Sequence, residues 1–377
     1  MFSETERGRR LNAAQEIMKE EGLSGLLMVG NGAVGTNSYG CFRYLTDNRV
    51  YYYLQTAVFA PDKAPVAIAT SYISQLEFLN NSFIKDCRVF TDSMVGIMEI
   101  FEEMGIKSGK VGTCLEILPT SWMLQLMEKF PQIEWVDVSE AIFRIRNVHS
   151  DEEAETIRKC ARLADIGYEV VKQKIKPGMS EQQVVAELEY AIQKNGGENN
   201  FSLISSGRFS FDDNRLPCIH AATMFDKVIE PGDSVAMEIT PRYNGYWTQL
   251  VRTLCIGEPS EDFRTLHKVV VETINDALNE LRPGNPIGNI AKRIRKFTED
   301  SGYVFSLPCG HICAIDLNEE RIDEANMRPL MPGMAVILHP SVITPKLQTG
   351  IFWGETFLIT ESGYEKIMNS DNEIVVI

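Results

Sequence analysis

The second part of this chain of 377 residues contains an internal duplication, and the duplication restricts the possible folds more than any other feature. In each copy two helical segments flank a Pro-Gly turn, and a stretch of short apolar strands follows. The matching segments are Ile175-Lys-Pro-Gly178 and Leu281-Arg-Pro-Gly284, Leu216-Pro-Cys-Ile-His220 and Leu307-Pro-Cys-Gly-His311, and Ile229-Glu-Pro-Gly232 and Leu330-Met-Pro-Gly333. Two copies that bury one shared face must superpose their equivalent positions. The spacing therefore predicts two halves, each of two helices and a sheet, related by a pseudo-twofold axis.

The first part of the chain has a different pattern. Over residues 1–142, helical stripes alternate with short apolar strands, which is typical of a small α/β domain. A charged segment follows, in which Ser150 and Glu153 form a capping box ahead of a long amphipathic helix. We therefore predict an α+β protein with a small α/β domain over residues 1–142 and the duplicated domain over residues 143–377.

The composition restricts the partners. The chain has 37 basic and 52 acidic side chains and a net charge of −15, so nucleic acid and anionic membranes would repel it. No apolar run reaches the roughly 18 residues of a membrane span, and the N-terminal segment is too polar for a secretion signal. Eight scattered cysteines do not indicate a disulfide scaffold. We expect a cytoplasmic protein that binds a small molecule, with no nucleic-acid or membrane partner.

Three of the five histidines, namely His220, His311 and His339, fall on positions that the duplication brings together. An imidazole titrates near neutral pH, so it can exchange protons with a substrate or bind a metal. The sequence therefore indicates a functional cleft at the centre of the duplicated domain. We expect the other two histidines, His149 and His267, to be solvated.

Glu238 lies in the same predicted cleft. It follows Gly232 by six residues, as His339 follows Gly333, and its strand is otherwise apolar. A buried carboxylate without a partner is costly, so Glu238 needs one. A salt bridge with Arg242 or Arg252 is the structural alternative to a functional role.

Several cysteines lie close to the candidate histidines. Cys309, His311 and Cys313 alternate along one predicted strand, a pattern that is also compatible with a zinc site. No Cys-x-x-Cys pair accompanies them, which favours cysteines that line the core. Cys218 lies beside His220, and a thiol near an imidazole can become a nucleophile. The sequence leaves open whether Cys218, Cys309 or Cys313 takes part in chemistry.

The landmarks of the duplication resemble those of the creatinase, prolidase and methionine aminopeptidase family, whose fold is called the pita-bread fold. Residues 232–239 and 243–253 are similar to the family's central strands, and residues 310–311, 332–334 and 350–364 are similar to its C-terminal signature. The first domain resembles the smaller domain that precedes the catalytic one in prolidases and creatinases. The similarity thus covers nearly the whole chain, and it implies a pita-bread domain and a homodimer.

Peptidases of this family hold two metal ions with two aspartates, one histidine and two glutamates. The resemblance assigns these positions to Glu238, Gln249, His311, His339 and Gly354. Gln249 is neutral and Gly354 has no side chain, so carboxylates that a bridged pair of ions requires are lost. Glu355 comes next, but one step along a strand points a side chain to the opposite face. We therefore expect no metal cofactor and no Xaa-Pro aminopeptidase or prolidase activity.

The resemblance is closest in kind to creatinase, a family member that works without metal. His220 matches its general base and acid, whereas its guanidinium-binding carboxylates are not reproduced. We predict a metal-independent, creatinase-like hydrolase that cleaves a C–N bond in a small amidino, amide or amino-acid-like substrate. The predicted catalytic residues are His220, His311 and Glu238, and the predicted substrate-binding residues are His339, Arg252, Gln249 and Arg49. Arg49 is included because an arginine from the neighbour's first domain caps the site in family homodimers.

Two alternatives remain open. Glu238, His311 and His339 form a set of two histidines and one carboxylate that could hold one zinc or iron ion in a hydrolase or lyase. The fold also occurs as a non-catalytic binding module in chromatin proteins, and this chain could be such a module.

Overall fold

The computed structural model describes residues 2–32, 35–37, 40–50, 54–198, 201–208, 218–222, 227–347 and 349–377. Leu216 and Pro217 of the predicted duplication lie outside the described residues. The chain divides into two compact units, Met1–Asn147 and Val148–Ile377. The boundary that we predict after residue 142 falls within a helix, Ser139–Arg146, which packs on two other helices of the first unit.

The first unit is a mixed sheet with helices packed on it. Its helices are α1 (Glu4–Glu20), α2 (Gly40–Thr46), α3 (Tyr72–Asn81), α4 (Ser93–Met104), α5 (Thr120–Lys129) and α6 (Ser139–Arg146). Its strands are β1 (Leu23–Asn31), β2 (Leu54–Phe59), β3 (Val66–Ala69), β4 (Asp86–Val89), β5 (Gly109–Thr113) and β6 (Ile133–Asp137). The strand order is β4-β3-β2-β1-β5-β6, with β1 antiparallel to β2 and parallel to β5.

Helix α4 illustrates how the sequence builds this unit. The Asp92 side chain accepts a hydrogen bond from the Met94 N–H and caps the start of the helix, and Gly105 ends it in the left-handed conformation. Apolar residues at helical spacing form one buried face that packs into the core beside the sheet. These residues are Ile97, Ile100, Phe101 and Met104.

The second unit contains the duplicated helices and sheets. Its helices are α7 (Asp151–Lys174), α8 (Glu181–Lys194), α9 (Glu261–Ala277) and α10 (Ile287–Asp300), with a 3₁₀ turn at Leu278–Glu280. Its strands are β7 (Phe201–Arg208), β8 (Asp233–Thr240), β9 (Arg242–Tyr243), β10 (Tyr246–Trp247), β11 (Leu250–Cys255), β12 (Val304–Ser306), β13 (Gly310–Cys313), β14 (Glu320–Arg321), β15 (Ala335–Leu338), β16 (Ser341–Ile343), β17 (Gly350–Phe352), β18 (Glu355–Thr360) and β19 (Gly363–Lys366). The sheets have the orders β11-β8-β7, β12-β16-β17 and β14-β13-β15-β18-β19, and β9 pairs with β10.

The predicted duplication is confirmed in the backbone hydrogen bonds. The Gly178 N–H donates to the Ile229 carbonyl oxygen at 2.9 Å, and in the second half the Gly284 N–H donates to the Leu330 carbonyl oxygen at 2.8 Å. In each half a second hydrogen bond runs the other way, to the carbonyl oxygen of the residue after the glycine. The Ile229 N–H donates to Met179 at 2.9 Å, and the Leu330 N–H donates to Asn285 at 2.8 Å. Both glycines have a positive φ, 91° and 86°, which explains why the turn requires glycine twice.

Among the described residues, no helix combines the length and the apolar character that crossing a membrane requires.

Candidate active site

Glu238 lies on β8, the central strand of the sheet β11-β8-β7, and every residue of β8 is buried. The alternation of the strand places Ala236 on the same face, and the register pairs Glu238 with Val251 of β11. Glu238 is only 7% exposed. Burial raises the pKa of Glu238 to about 7, because the ionised form loses its hydration. This carboxyl group can therefore exchange a proton near neutral pH.

The hydrogen-bond partner of Glu238 is Gln249, which lies between β10 and β11. The Gln249 Nε2 donates to Glu238 Oε1 and, at 3.3 Å, to the Thr240 hydroxyl oxygen. The backbone of Gln249 is fixed by Thr356 of β18, whose hydroxyl accepts from the Gln249 N–H at 2.8 Å and donates to its carbonyl oxygen at 3.1 Å. Arg242, one of the two alternative partners that we considered, pairs instead with Glu198 at 3.0 Å. Glu238 is thus held by a neutral amide.

The two halves of the unit meet at Gly354. Its N–H and carbonyl groups form hydrogen bonds of 3.0 and 2.8 Å with Val251, which joins β11 to the start of β18. A Cβ atom at Gly354 would overlap the Leu338 carbonyl oxygen and lie 2.6 Å from the Cα atom of His339. The backbone of His339 therefore lies directly against Gly354, and the position admits no side chain.

Two of the three predicted histidines contact Phe352 of β17, and the third contacts one of these two. The His220 ring stacks on the Phe352 ring with centroids 3.8 Å apart, and the His339 ring meets the Phe352 ring edge-on at 5.3 Å. His311 of β13 contacts His339, with ring centroids 5.2 Å apart. Phe352 belongs to the same buried cluster as Ala236 and Val251, and these two residues share the face of Glu238. The structure therefore brings the three imidazoles together, and the cluster that contains Phe352 includes residues from the face of β8 that carries Glu238.

Burial favours the neutral form of all three imidazoles. Burial lowers the pKa of His311 to about 4. Burial, and then the proximity of His311 and His220, holds the pKa of His339 well below its usual value. Burial also lowers the pKa of His220, whose Nδ1–H donates to the Ala221 carbonyl oxygen at 2.6 Å. The Nε2 atom of His220 then carries the lone pair, and it has no partner among the described residues.

Arg252 and Glu355 form a separate buried cluster. The Arg252 guanidinium donates to the carbonyl oxygens of Val251 and Gly354 at 2.9 and 2.7 Å, and it lies 3.5 Å from the Glu355 carboxylate. Glu355 also pairs with Lys366 at 3.3 Å. The donors of Arg252 are thus used at the junction of the two halves. Its predicted role in substrate binding remains a prediction.

Arg49 belongs to the first unit, and the remaining two histidines, His149 and His267, belong to the second. Arg49 is half-buried and follows α2 in the first unit, and residues 51–53 beside it lie outside the described residues. The expectation that His149 and His267 are solvated was wrong, because they are 7% and 9% exposed. His149 Nδ1 lies 2.6 Å from the Gly333 carbonyl oxygen, and His267 packs edge-on against Trp353.

The cysteines near the site are buried thiols. The Sγ atoms of Cys218, Cys309 and Cys313 donate to the backbone carbonyl oxygens of Ser205, Ile322 and Trp247, at 3.1, 3.7 and 3.6 Å. Burial raises the pKa of Cys218 to about 11 and that of Cys309 to about 12, and it raises the pKa of Cys313 strongly as well. Because only a thiolate is a strong nucleophile, these contacts favour a packing role.

Two duplicated halves whose sheets meet at a polar junction define the pita-bread class of proteins. Residues 155–361 match the family model described as Metallopeptidase family M24, and residues 10–148 match the one described as Creatinase/Prolidase N-terminal domain. The chain belongs to Metallopeptidase family M24.

Known relatives extend this assignment. An Xaa-Pro dipeptidase from Pyrococcus furiosus is 29% identical over 289 residues, which cover 75% of this chain and 78% of the relative. The crystal structure of an X-Pro aminopeptidase from Thermotoga maritima superposes with a TM-score of 0.86 at 20% identity, covering 97% of this chain and 99% of that chain. An Xaa-Pro dipeptidase from Bacillus anthracis gives a TM-score of 0.84 at 22% identity, covering 98% of this chain and 100% of that chain. At such identities the solved structures establish the fold alone.

These findings overturn our prediction of the function. The predicted metal-independent, creatinase-like hydrolase without a cofactor was wrong, because the chain belongs to a metallopeptidase family. The expectation of no Xaa-Pro peptidase activity was also wrong, because relatives are named Xaa-Pro dipeptidases. The error has a physical origin. We treated the lost carboxylates at Gln249 and Gly354 as the loss of the family's activity, although two positions do not determine which bond an enzyme cleaves.

The family implies metal ions, and the residues of this chain can be tested against that implication. The Gln249 side chain is a neutral amide that binds Glu238, so it does not supply the carboxylate that a bridged pair of ions requires. Gly354 has neither a side chain nor the space for one. Within the ranges that the structure describes, no group of three or more His, Cys, Asp or Glu residues is arranged to hold a metal ion. The described residues therefore do not fit the metal centre that the family implies.

Phe352 and Thr356 are site residues that the sequence analysis missed. Phe352 supports two of the histidines, and Thr356 fixes Gln249. Both lie two residues from Gly354, one on each side. Because alternate residues of an extended chain share a face, this spacing was the available signal.

Proposed function

We propose that this chain hydrolyses the amide bond of a small peptide, with Xaa-Pro dipeptides as the first substrates to test. Membership of a metallopeptidase family supports the class of reaction, and the relatives named Xaa-Pro dipeptidase support the class of substrate. The observation that carries the proposal is Glu238, a buried carboxyl that Gln249 holds and whose pKa burial raises to about 7, on the face that also carries Ala236 and Val251 of the Phe352 cluster.

Amide hydrolysis needs a group that accepts a proton from water and a group that returns one to the leaving nitrogen. A carboxyl with a pKa near the working pH can do both in turn. The His220 Nε2 lone pair can accept a hydrogen bond from the attacking water or from the substrate. A neutral imidazole N–H of His311 or His339 can donate to the oxygen on which negative charge develops.

The test is the release of proline from Gly-Pro, Ala-Pro and Leu-Pro, with Ala-Ala as the dipeptide without proline. Each assay is run after dialysis against a chelator and again with added Mn²⁺, Co²⁺ or Zn²⁺, because the family implies metal ions. Glu238→Gln should lower turnover about a hundredfold or more, since it removes the acid–base group. The matched control is Glu361→Gln, an exposed carboxylate in the turn before β19, which should stay within about twofold. The proposal would be refuted if, under every metal condition, the unsubstituted protein hydrolysed no dipeptide faster than Glu238→Gln does.

We also propose that the protein is a homodimer in a reducing cytoplasm. Three neighbouring apolar side chains of α3 are exposed, Tyr72 by 75%, Ile73 by 73% and Leu76 by 62%, and such a patch commonly marks a protein contact. Light scattering should give twice the mass of the chain, and Leu76→Glu should halve it. A monomer before the substitution would contradict the dimer.

A further inference from the structure

We infer that Arg252 is a positioning residue for the site: it connects residues 369–372, a segment that follows β19, to the bridge formed by Val251 and Gly354. This inference rests on the proposed function for the reaction that the positioning serves. It goes beyond that proposal because it gives a role to residues that do not touch the substrate and names the residue through which they act.

The first step is the set of acceptors around the Arg252 guanidinium, which is completely buried. Its Nη1 atom donates to the carbonyl oxygens of Val251 and Gly354, at 2.9 and 2.7 Å. Its Nε atom donates to the Asp371 carbonyl oxygen at 3.2 Å, and its Nη2 atom lies 3.4 Å from the Ser370 carbonyl oxygen and 3.5 Å from a buried carboxylate. A guanidinium has five N–H donors, and these contacts use all of them. Arg252 thus joins the bridge to the 369–372 segment.

The second step is what the bridge separates. On one side, Val251 of β11 pairs with Glu238 in the register of the sheet. On the other side, the backbone of His339 lies directly against Gly354, since an added Cβ atom there would come within 2.6 Å of the His339 Cα atom. A displacement of the bridge therefore changes the separation of Glu238 and His339, and the proposed reaction uses both groups.

The third step is what holds the 369–372 segment. The Asp165 carboxylate of α7 accepts three hydrogen bonds from it, two of them from the Ser370 N–H and hydroxyl groups at 3.0 and 2.7 Å. The segment also accepts a hydrogen bond of 3.1 Å from Trp353 Nε1, and the centroid of the Trp353 ring lies 4.6 Å from the Arg252 Cζ atom. Ser370 thus binds Asp165 through its N–H and hydroxyl groups and Arg252 through its carbonyl oxygen. A continuous set of contacts runs from α7 to the bridge.

The first experiment measures kcat and KM for the dipeptide that the unsubstituted protein hydrolyses fastest, at a temperature where circular dichroism shows each variant to be folded. Arg252→Lys keeps the charge, but its three donors lie on one nitrogen and cannot span both the bridge and the segment. It should lower kcat about tenfold or more and change KM by less than about twofold, because a displaced site reacts slowly while its substrate contacts remain. Direct binding of substrate by Arg252 would instead raise KM.

The matched control is Arg293→Met. Arg293 also pairs with two carboxylates, those of Asp276 and Glu280, at 2.7 and 3.1 Å, but none of its listed partners belongs to the bridge or the segment. This substitution removes an arginine with several ionic contacts, and it should leave kcat and KM within about twofold.

The second experiment tests whether the segment acts through Arg252. Asp165→Ala releases the segment from α7 and should lower kcat about threefold or more while Arg252 is present. In the double variant with Arg252→Lys, Asp165→Ala should lower kcat by less than a further twofold or so, because the constraint that it weakens no longer reaches the bridge. Two independent structural defects would instead multiply.

Hydrogen exchange followed by mass spectrometry gives a reading that needs no substrate. The N–H groups of Val251 and Gly354 bind each other's carbonyl oxygens. Asp165→Ala should speed exchange about tenfold in the peptides that contain these two residues and leave the peptides of α10 unchanged. Should Asp165→Ala not fold, Ser370→Ala removes one of the three hydrogen bonds to Asp165 and should act in the same direction.

The outcomes separate the inference from the proposed function. If no dipeptide is hydrolysed but Asp165→Ala speeds exchange at the bridge, the inference stands and the proposed function fails. If exchange at the bridge is unchanged, the inference fails whether or not dipeptides are hydrolysed. If dipeptides are hydrolysed, the inference also fails when Arg252→Lys leaves kcat unchanged or raises KM alone, and when the effects of the two substitutions multiply.

Discussion

The close contact at Gly354 leads to a quantitative prediction. The N–H and carbonyl groups of Gly354 bind Val251 with hydrogen bonds of 3.0 and 2.8 Å. A Cβ atom here would overlap backbone atoms of Leu338 and lie 2.6 Å from the Cα atom of His339. A backbone atom cannot rotate away as a flexible side chain can. Gly354→Ala must therefore separate the strands at the point where the two halves of the second unit meet.

The cost follows from two contributions. Overfilling a packed interior typically costs about 1–3 kcal/mol. Weakening the two buried hydrogen bonds to Val251 adds about 1 kcal/mol for each. We therefore expect Gly354→Ala to lower the free energy of unfolding by about 3–5 kcal/mol, which corresponds to a decrease in Tm of about 10 °C for a unit of this size.

The measurement is thermal and urea unfolding followed by circular dichroism. The matched control is Gly363→Ala in β19, where the nearest atom to an added Cβ is the Leu281 carbonyl oxygen at 4.0 Å. This control should change the free energy of unfolding by less than about 1 kcal/mol. If Gly354→Ala unfolds within a degree of the unsubstituted protein, the strands are not as close as we describe and the reasoning is wrong.

Three further predictions concern buried polar groups. Burial raises the pKa of Glu238 from 4.5 to about 7, so between these pH values only the unfolded state ionises and the free energy of unfolding falls as the pH rises. Glu238→Gln should remove on the order of 3 kcal/mol of this decline between pH 4.5 and 7, as measured by urea unfolding. An unchanged dependence of the free energy of unfolding on pH would contradict the burial of Glu238. Arg252→Met removes the positive charge that lies beside the buried Glu355 carboxylate, and it should lower the free energy of unfolding by about 3–5 kcal/mol in the same assay. A decrease below about 1 kcal/mol would show that this cluster contributes little to stability. Iodoacetamide at pH 7.5 should leave the thiols of Cys218, Cys309 and Cys313 unmodified in the folded protein and should alkylate them in guanidinium, as measured by mass spectrometry. Rapid alkylation of these thiols in the folded protein would contradict their burial.

The fold was predictable because local signals and the duplication agreed. The capping box at Ser150 and Glu153 is present at the start of α7, and the side chain of Ser180 caps α8 as the second helix of the first copy. The Pro-Gly turns recur with matching hydrogen bonds, since both depend on a glycine with positive φ. Such features are encoded within a few residues, so a single sequence shows them.

The site was predictable only in part. Repeat positions predicted that His220, His311, His339 and Glu238 lie near the centre, and the ring contacts around Phe352 join the three histidines. What the sequence could not supply is the partner of each polar group. Gln249 binds Glu238, whereas Arg252 binds backbone carbonyls and Glu355, and both choices depend on how separate strands approach in three dimensions.

The two departures from the family's ligand pattern belong to one structural feature. Gln249 precedes Val251 by two residues, and Val251 is the residue that bridges to Gly354. Thr356, two residues beyond Gly354, holds the backbone of Gln249 from the facing strand. The approach of β11 and β18 that leaves no space for a side chain at Gly354 therefore also fixes the amide that binds Glu238. Gln249→Asp alone would return a carboxylate on one strand, while the opposite position would still lack space for its own. Substituting position 249 thus changes what this junction can bind without rebuilding the carboxylate set that the family's metal ions require.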